Sequence, residues 1–124
     1  MKIKTGIDII EIERIKQAIE ETEGRFCERV YTIKEIEYCE NKKEQKYQHY
    51  AARFAGKEAV FKATSQFVDN KFDIQWKDIE ILNDENGRPC VNLRRKDINF
   101  SNIDISISHC KTYAVANVAI LLEE

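Results

Sequence analysis

Residues 3–10 alternate: Ile3, Thr5, Ile7 and Ile9 fall on one side of an extended chain, and Gly6, Asp8 and Ile10 on the other. A period of two over that length predicts a β-strand. From Glu11 the period lengthens, with Ile12, Ile15 and Ile19 at helical spacing, and Gly24 is placed to stop or bend that helix. A second helical stripe runs through Ile33, Ile36 and Tyr38 towards Cys39, and the polar stretch 40–48 reads as a loop or a frayed helix end. The best-defined helix spans 51–66, AARFAGKEAVFKATSQ, which is rich in alanine and long apolar side chains and contains one glycine.

Beyond that helix the pattern returns to strands. Phe72, Ile74 and Trp76 alternate, then Ile79 and Ile81, with Asp78 marking a bulge where the phase slips. NDENGRP, 83–89, predicts a tight turn into Cys90–Leu93 and therefore a hairpin. Ile103, Ile105 and Ile107 alternate with Asp104, Ser106 and Ser108, and the last strand, 113–122, is nearly continuous apolar, which predicts burial on both faces. One strand, three helices and an antiparallel meander predict an α+β fold. With four glycines, one proline, no repeat and no low-complexity linker, residues 1–124 read as a single domain.

Composition narrows the function classes. Hydrophobic residues make up 43% and charged residues 34% of the 124, an ordinary globular balance. The formal net charge of -2 gives no general argument for nucleic acid, so a polyanion site has to be a local patch. No apolar run approaches the roughly 20 residues that span a bilayer, and Asp8 and Glu11 interrupt the first apolar stretch, so a signal-peptide layout is not expected. Cys27, Cys39, Cys90 and Cys110 form no C-x-x-C pair and read as four reduced thiols of a cytoplasmic protein.

Two acids stand out against this pattern. Asp8 sits inside a strand between Ile7 and Ile9, where a partly desolvated carboxylate needs a cation or several donors; the alternative is an N-cap for the helix starting near Glu11. Glu58 falls among Ala51, Phe54, Ala55, Lys62 and Ser65 on a helical face of small and aromatic residues. An acid and a base on such a face point to a lined cleft, against the plainer reading of a solvated i,i+4 pair. Arg53 and Lys57 are like charges at the same spacing, which suits an anion nearby or else a solvated basic face.

One carboxylate from a strand and one from a helix match the habits of magnesium, which takes few protein carboxylates and completes its octahedron with water and phosphate oxygens. No Walker loop, G-x-G-x-x-G or H-E-x-x-H is present in the sequence. His109 ends the 106–108 pattern as a lone histidine at a strand end. Cys110 beside it does not make a nucleophilic dyad, because neighbours on a strand point to opposite faces.

The segments GIDIIEIERI (6–15), RFAGKEAVFKA (53–63) and SISHCKTYAVA (106–116), together with R-x-x-x-R-V-Y-T-x-x-E (25–35) and the NGRP turn, resemble the holo-acyl-carrier-protein synthase family, the small phosphopantetheinyl transferases. The resemblance covers essentially the whole chain. It implies transfer of 4′-phosphopantetheine from coenzyme A to a serine of apo acyl carrier protein, with release of adenosine 3′,5′-bisphosphate. It also implies that Asp8 and Glu58 hold magnesium, that Glu58 and Lys62 are catalytic, and that Arg53, Lys57, Lys62 and His109 meet coenzyme A. A homotrimer with sites between subunits is implied as well. In the family the first helix is basic and docks the acidic carrier protein. Here 11–29 hold six acids against four bases, but Arg14, Arg25 and Arg29 share one side if the helix continues through Gly24. A non-catalytic module that binds coenzyme A or a carrier protein is the competing reading. The Asp8, Glu58 and Lys62 set speaks against it.

Overall fold

The computed structural model describes residues 1–69 and 73–123. Strand β1 (Lys2–Glu11) leads into helices α1 (Ile12–Glu21), α2 (Arg25–Val30) and α3 (Ile33–Glu40), a 3₁₀ turn at Lys43–Gln45, and the long helix α4 (Lys46–Thr64). A second 3₁₀ turn, Trp76–Asp78, precedes β2 (Ile79–Asn83), β3 (Pro89–Leu93), β4 (Asn102–His109) and β5 (Tyr113–Leu122). The α+β class expected from the pattern is the one found. The meander, however, is split into a three-stranded antiparallel sheet in the order β1-β5-β4 and a separate hairpin of β2 and β3.

Helix α4 lies across the inner face of the three-stranded sheet. Ala55, Ala59 and Ala63 are fully buried against Ile105, Ala116, Val118 and Ile120, and small side chains on the helix are what let it sit so close. Gly6 is the tightest point: a Cβ there would overlap the carbonyl oxygen of Ala59. A second core gathers Ile12, Ile15, Val30, Tyr31, Cys39 and Tyr50 under the short helices.

Several local expectations are corrected. Helix α4 begins at Lys46, so the polar stretch before residue 51 is partly its first turn. Trp76 and Asp78 belong to a 3₁₀ turn rather than a strand with a bulge, because the Asp78 carboxylate accepts from the Gln75 amide and closes the turn; Phe72 lies outside the described residues. The α1 helix does not continue through Gly24, which is left-handed at φ 88° and opens α2 as a separate helix, so the single-helix strip of Arg14, Arg25 and Arg29 does not form. Strand β5 is buried on one face only: Ala114, Ala116, Val118 and Ile120 point inward, while its other face lies beside the exposed Ile3, Ile7 and Ile9 of β1. Among the described residues no helix is long and apolar enough to cross a membrane.

Candidate active site

Asp8 lies in mid-strand on the inner row Asp8, Ala116, Ile107 of the sheet. It does not cap α1, whose N-cap is Glu11 without a side-chain bond. Lys62, on the facing side of α4, donates to the Asp8 carboxylate at 3.1 Å and to the carbonyl oxygen of Ile7 at 2.9 Å. Glu58 sits one turn before Lys62 and is half-buried. Burial, and next the negative charge of Asp8, raise its carboxyl above the usual range, against the opposing pull of Lys62. The structure thus brings Asp8, Glu58 and Lys62 together where β1 meets α4.

A carboxylate whose ionisation is disfavoured by a second one beside it is a place for a cation. Among the described residues no group of three or more His, Cys, Asp or Glu gathers as a ready-made cage. Two hard oxygen donors, one from a strand and one from a helix, fit magnesium better than zinc. Aromatic side chains wall one side of this site. Trp76 stacks on Phe54 with ring centroids 5.1 Å apart and meets Phe61 edge-on at 5.0 Å. Phe26 of α2 reaches Phe54 at 5.9 Å, which sets α2 beside the site.

Arg53 and His109 are elsewhere. Lys62 and Arg53 are nine residues apart, as are Glu58 and His49, which places each pair about 180° apart around α4. On that far side the buried Arg53 guanidinium donates to Asn83 Oδ1 at 2.6 Å and lies 4.1 Å over the Tyr38 ring. Its Nε has no hydrogen-bond partner. His109, exposed at the end of β4, meets the His49 ring at 6.0 Å. Arg14, Arg25 and Arg29 are exposed on α1 and α2.

Lys57 corrects the sequence reading. It was expected to meet coenzyme A, but its ammonium has no exposed surface. It lies 2.8 Å from Glu35 Oε1 and donates to the carbonyl oxygens of Trp76 and Ile79. The anion that relieves the Arg53–Lys57 repulsion is a protein carboxylate. Glu35 itself was readable only as the third helical residue of a T-x-x-E capping box at Thr32, whose amide and hydroxyl it engages. Its burial against Lys57 left no trace in the pattern. His49 also went unnoticed, since one polar residue in a polar stretch carries no signal. All four cysteines are unpaired; burial pushes the Cys39 thiol up to about 12.

The 4′-phosphopantetheinyl transferase superfamily matches residues 4–118. The holo-[acyl-carrier-protein] synthase of Ruminiclostridium cellulolyticum is 47% identical over 98% of this chain and 94% of its own. That of Protochlamydia amoebophila is 45% identical over 94% and 95%. Among solved structures, the Bacillus anthracis enzyme in complex with CoA (3′,5′-ADP) is 32% identical at a TM-score of 0.78, covering 97% of this chain and 96% of that one. The Helicobacter pylori enzyme in complex with coenzyme A is 29% identical at 0.80, covering 94% and 98%. With matches of this extent over the segments that carry Asp8, Glu58 and Lys62, the chain belongs to the 4′-phosphopantetheinyl transferase superfamily, among its holo-[acyl-carrier-protein] synthases.

Proposed function

We propose that this enzyme transfers 4′-phosphopantetheine from coenzyme A to a serine of apo acyl carrier protein in the cytoplasm, releases adenosine 3′,5′-bisphosphate, and depends on magnesium. The observation that carries the reading is the Asp8–Glu58 carboxylate pair with Lys62 against Asp8. Magnesium held by the two carboxylates supplies charge neutralisation at the pyrophosphate oxygens. Lys62 adds a fixed cation aimed at the phosphoryl group in transfer, the arrangement that favours charge developing there. Glu58, half-buried beside Asp8, and a water ordered by the metal are the two candidates to take up the serine proton.

The placement of Arg53 and His109 supports a site shared between subunits. One coenzyme A molecule cannot pass through α4 to reach both faces, so Arg53 and His109 serve a site completed by the Asp8, Glu58 and Lys62 of another copy. The exposed Ile3, Ile7 and Ile9, beside the open face of β5, supply an apolar surface for that assembly. We assign it to a homotrimer. Docking of the carrier protein is assigned to Arg14, Arg25 and Arg29, because α2 borders the aromatic wall next to Glu58. Lys57, sealed against Glu35, is left out of the coenzyme A contacts.

The test is intact-mass analysis of an apo acyl carrier protein incubated with enzyme, coenzyme A and magnesium. A gain of one phosphopantetheine that disappears on thorough metal removal is expected. Coenzyme A binding without any product under any divalent metal would favour the non-catalytic module instead.

A further inference from the structure

We propose that His49 is a positioning residue for coenzyme A binding: its ring braces the His109 imidazole so that a phosphate of the cofactor meets it in a fixed orientation. The inference rests on the assignment of His109 to a coenzyme A phosphate and names the residue that makes that contact effective.

His109 ends β4 with its side chain on the inner row that holds Ile10 and Ala114. Its cross-strand neighbour, Ala114, is too small to hold an imidazole, and the chain turns away immediately afterwards. Support therefore has to come from α4, and His49 supplies it. The two rings meet at 6.0 Å with planes 65° apart, an edge-on contact. On its other side His49 meets the ring of Tyr38 at 5.6 Å and 74°. Tyr38 is in turn fixed, with the Arg53 guanidinium 4.1 Å over its ring and the Lys42 ammonium 4.8 Å over it. His109, His49, Tyr38 and the two cations over Tyr38 form one chain of contacts, with His109 as its exposed end.

Charge explains why the brace works as a neutral ring. The charged and titratable groups acting on His49 are Arg53 on its own helix, Lys42 from the preceding turn and His109 from β4, and no acid is among them. Burial first, and then the charges of Arg53 and Lys42 with a last contribution from the His109 ring, lower its pKa to about 4. At neutral pH His49 adds bulk and no charge beside His109, and Arg53 is the fixed cation of the cluster.

These are the chain's only two histidines, so their imidazole resonances can be followed without ambiguity. The trimeric enzyme is assayed with coenzyme A and an apo carrier protein, comparing wild type with His49→Ala, His49→Phe and His109→Ala. His49→Ala is expected to raise KM for coenzyme A several-fold, with little change in kcat or in KM for the carrier protein. His49→Phe, which restores a flat ring, should return KM to near the wild-type value. A nuclear Overhauser contact between the two imidazole rings is expected in the wild type. If His49→Ala does not fold, His49→Leu takes its place and the rise in KM must persist, since bulk without a flat ring does not restore the edge-on contact. If His109→Ala raises KM for coenzyme A and His49→Ala does not, the bracing role is wrong while the His109 assignment stands. If neither changes KM, both are wrong. Equal loss in His49→Ala and His49→Phe also overturns the proposal, because the ring would then not be what matters.

Discussion

Lys57 Nζ lies 2.8 Å from Glu35 Oε1, and neither side chain has any exposed surface. The pair is fully satisfied: Glu35 also accepts from the amides of Thr32 at 2.8 Å and Ile81 at 2.9 Å, and Lys57 donates to two carbonyl oxygens. It therefore ties α3, α4, β2 and the Trp76–Asp78 turn into one unit. Trp76, so held, is the residue that walls the Glu58 side of α4.

Removing one partner leaves a buried uncompensated charge. Lys57→Met is expected to lower unfolding free energy by about 3–5 kcal/mol, the range for breaking a buried pair. Adding Glu35→Leu to it should recover part of the loss. Urea unfolding of the single and double variants measures both effects. Such folded Lys57→Met enzyme as remains should keep its KM for coenzyme A, since the ammonium is sealed against Glu35 away from the surface; a large rise in KM would restore Lys57 to the binding site.

The strand of Asp8, the helix of Glu58 and the hairpin turn were readable because each repeats a local period or carries turn residues. Burial and partnership were not readable, and the reason is the same in each case. Asp8 and Lys62 stand 54 residues apart, Lys57 and Glu35 22 apart, and neither spacing leaves a mark on a local pattern. Lys57 and Glu58 adjoin in sequence, yet about 100° of helical rotation sends one into the core and leaves the other half-buried beside Asp8. The outward face of β5 misled for a different reason. Apolar residues predict what is to be covered, and in a single chain nothing covers Ile3, Ile7 and Ile9.

Gly6 sets how closely β1 approaches α4 and hence how near Asp8 comes to Glu58. A methyl group there meets backbone, the Ala59 carbonyl, which cannot yield without moving the helix. Gly6→Ala is expected to destabilise the fold by more than the roughly 1–3 kcal/mol of ordinary overpacking. Thermal unfolding checks this, and a wild-type midpoint would show that the strand can shift outward at little cost.

Glu58 gives stability a pH signature. Its folded pKa lies above the unfolded value, through burial first and Asp8 second, so the folded state favours the protonated form. The penalty for ionisation is absent below the ordinary value of 4.5, grows as pH rises from there to the folded value, and is constant above it. In chelator, Glu58→Gln should therefore match the wild type near pH 4 and melt a few degrees higher at pH 8. Magnesium should reverse the order at pH 8 by stabilising only the protein that binds it. Calorimetry with and without the metal separates the two contributions. Activity of Glu58→Gln, and of Asp8→Asn, should fall by at least about 10²-fold, the scale of losing one preorganised electrostatic group.

The opposite faces of α4 make the shared site directly testable. In the proposed trimer with shared sites, Glu58→Gln would disable one half of the site and Arg53→Ala the other, and each variant by itself is expected to be nearly inactive. If the halves come from different subunits, a trimer mixed from the two variants contains some sites with both halves intact. Co-refolding or co-expression should then restore a measurable fraction of activity, while mixing the folded trimers without exchange should not. No recovery in verified mixed trimers would place Arg53 and Glu58 in the same subunit's site or take Arg53 out of the site altogether. Ile7→Asp provides the complementary arm. A charge on the exposed apolar row should shift the sedimentation coefficient towards monomer and abolish transfer, even though Ile7 faces away from both halves of the site. A monomer that kept full activity would show that one chain suffices.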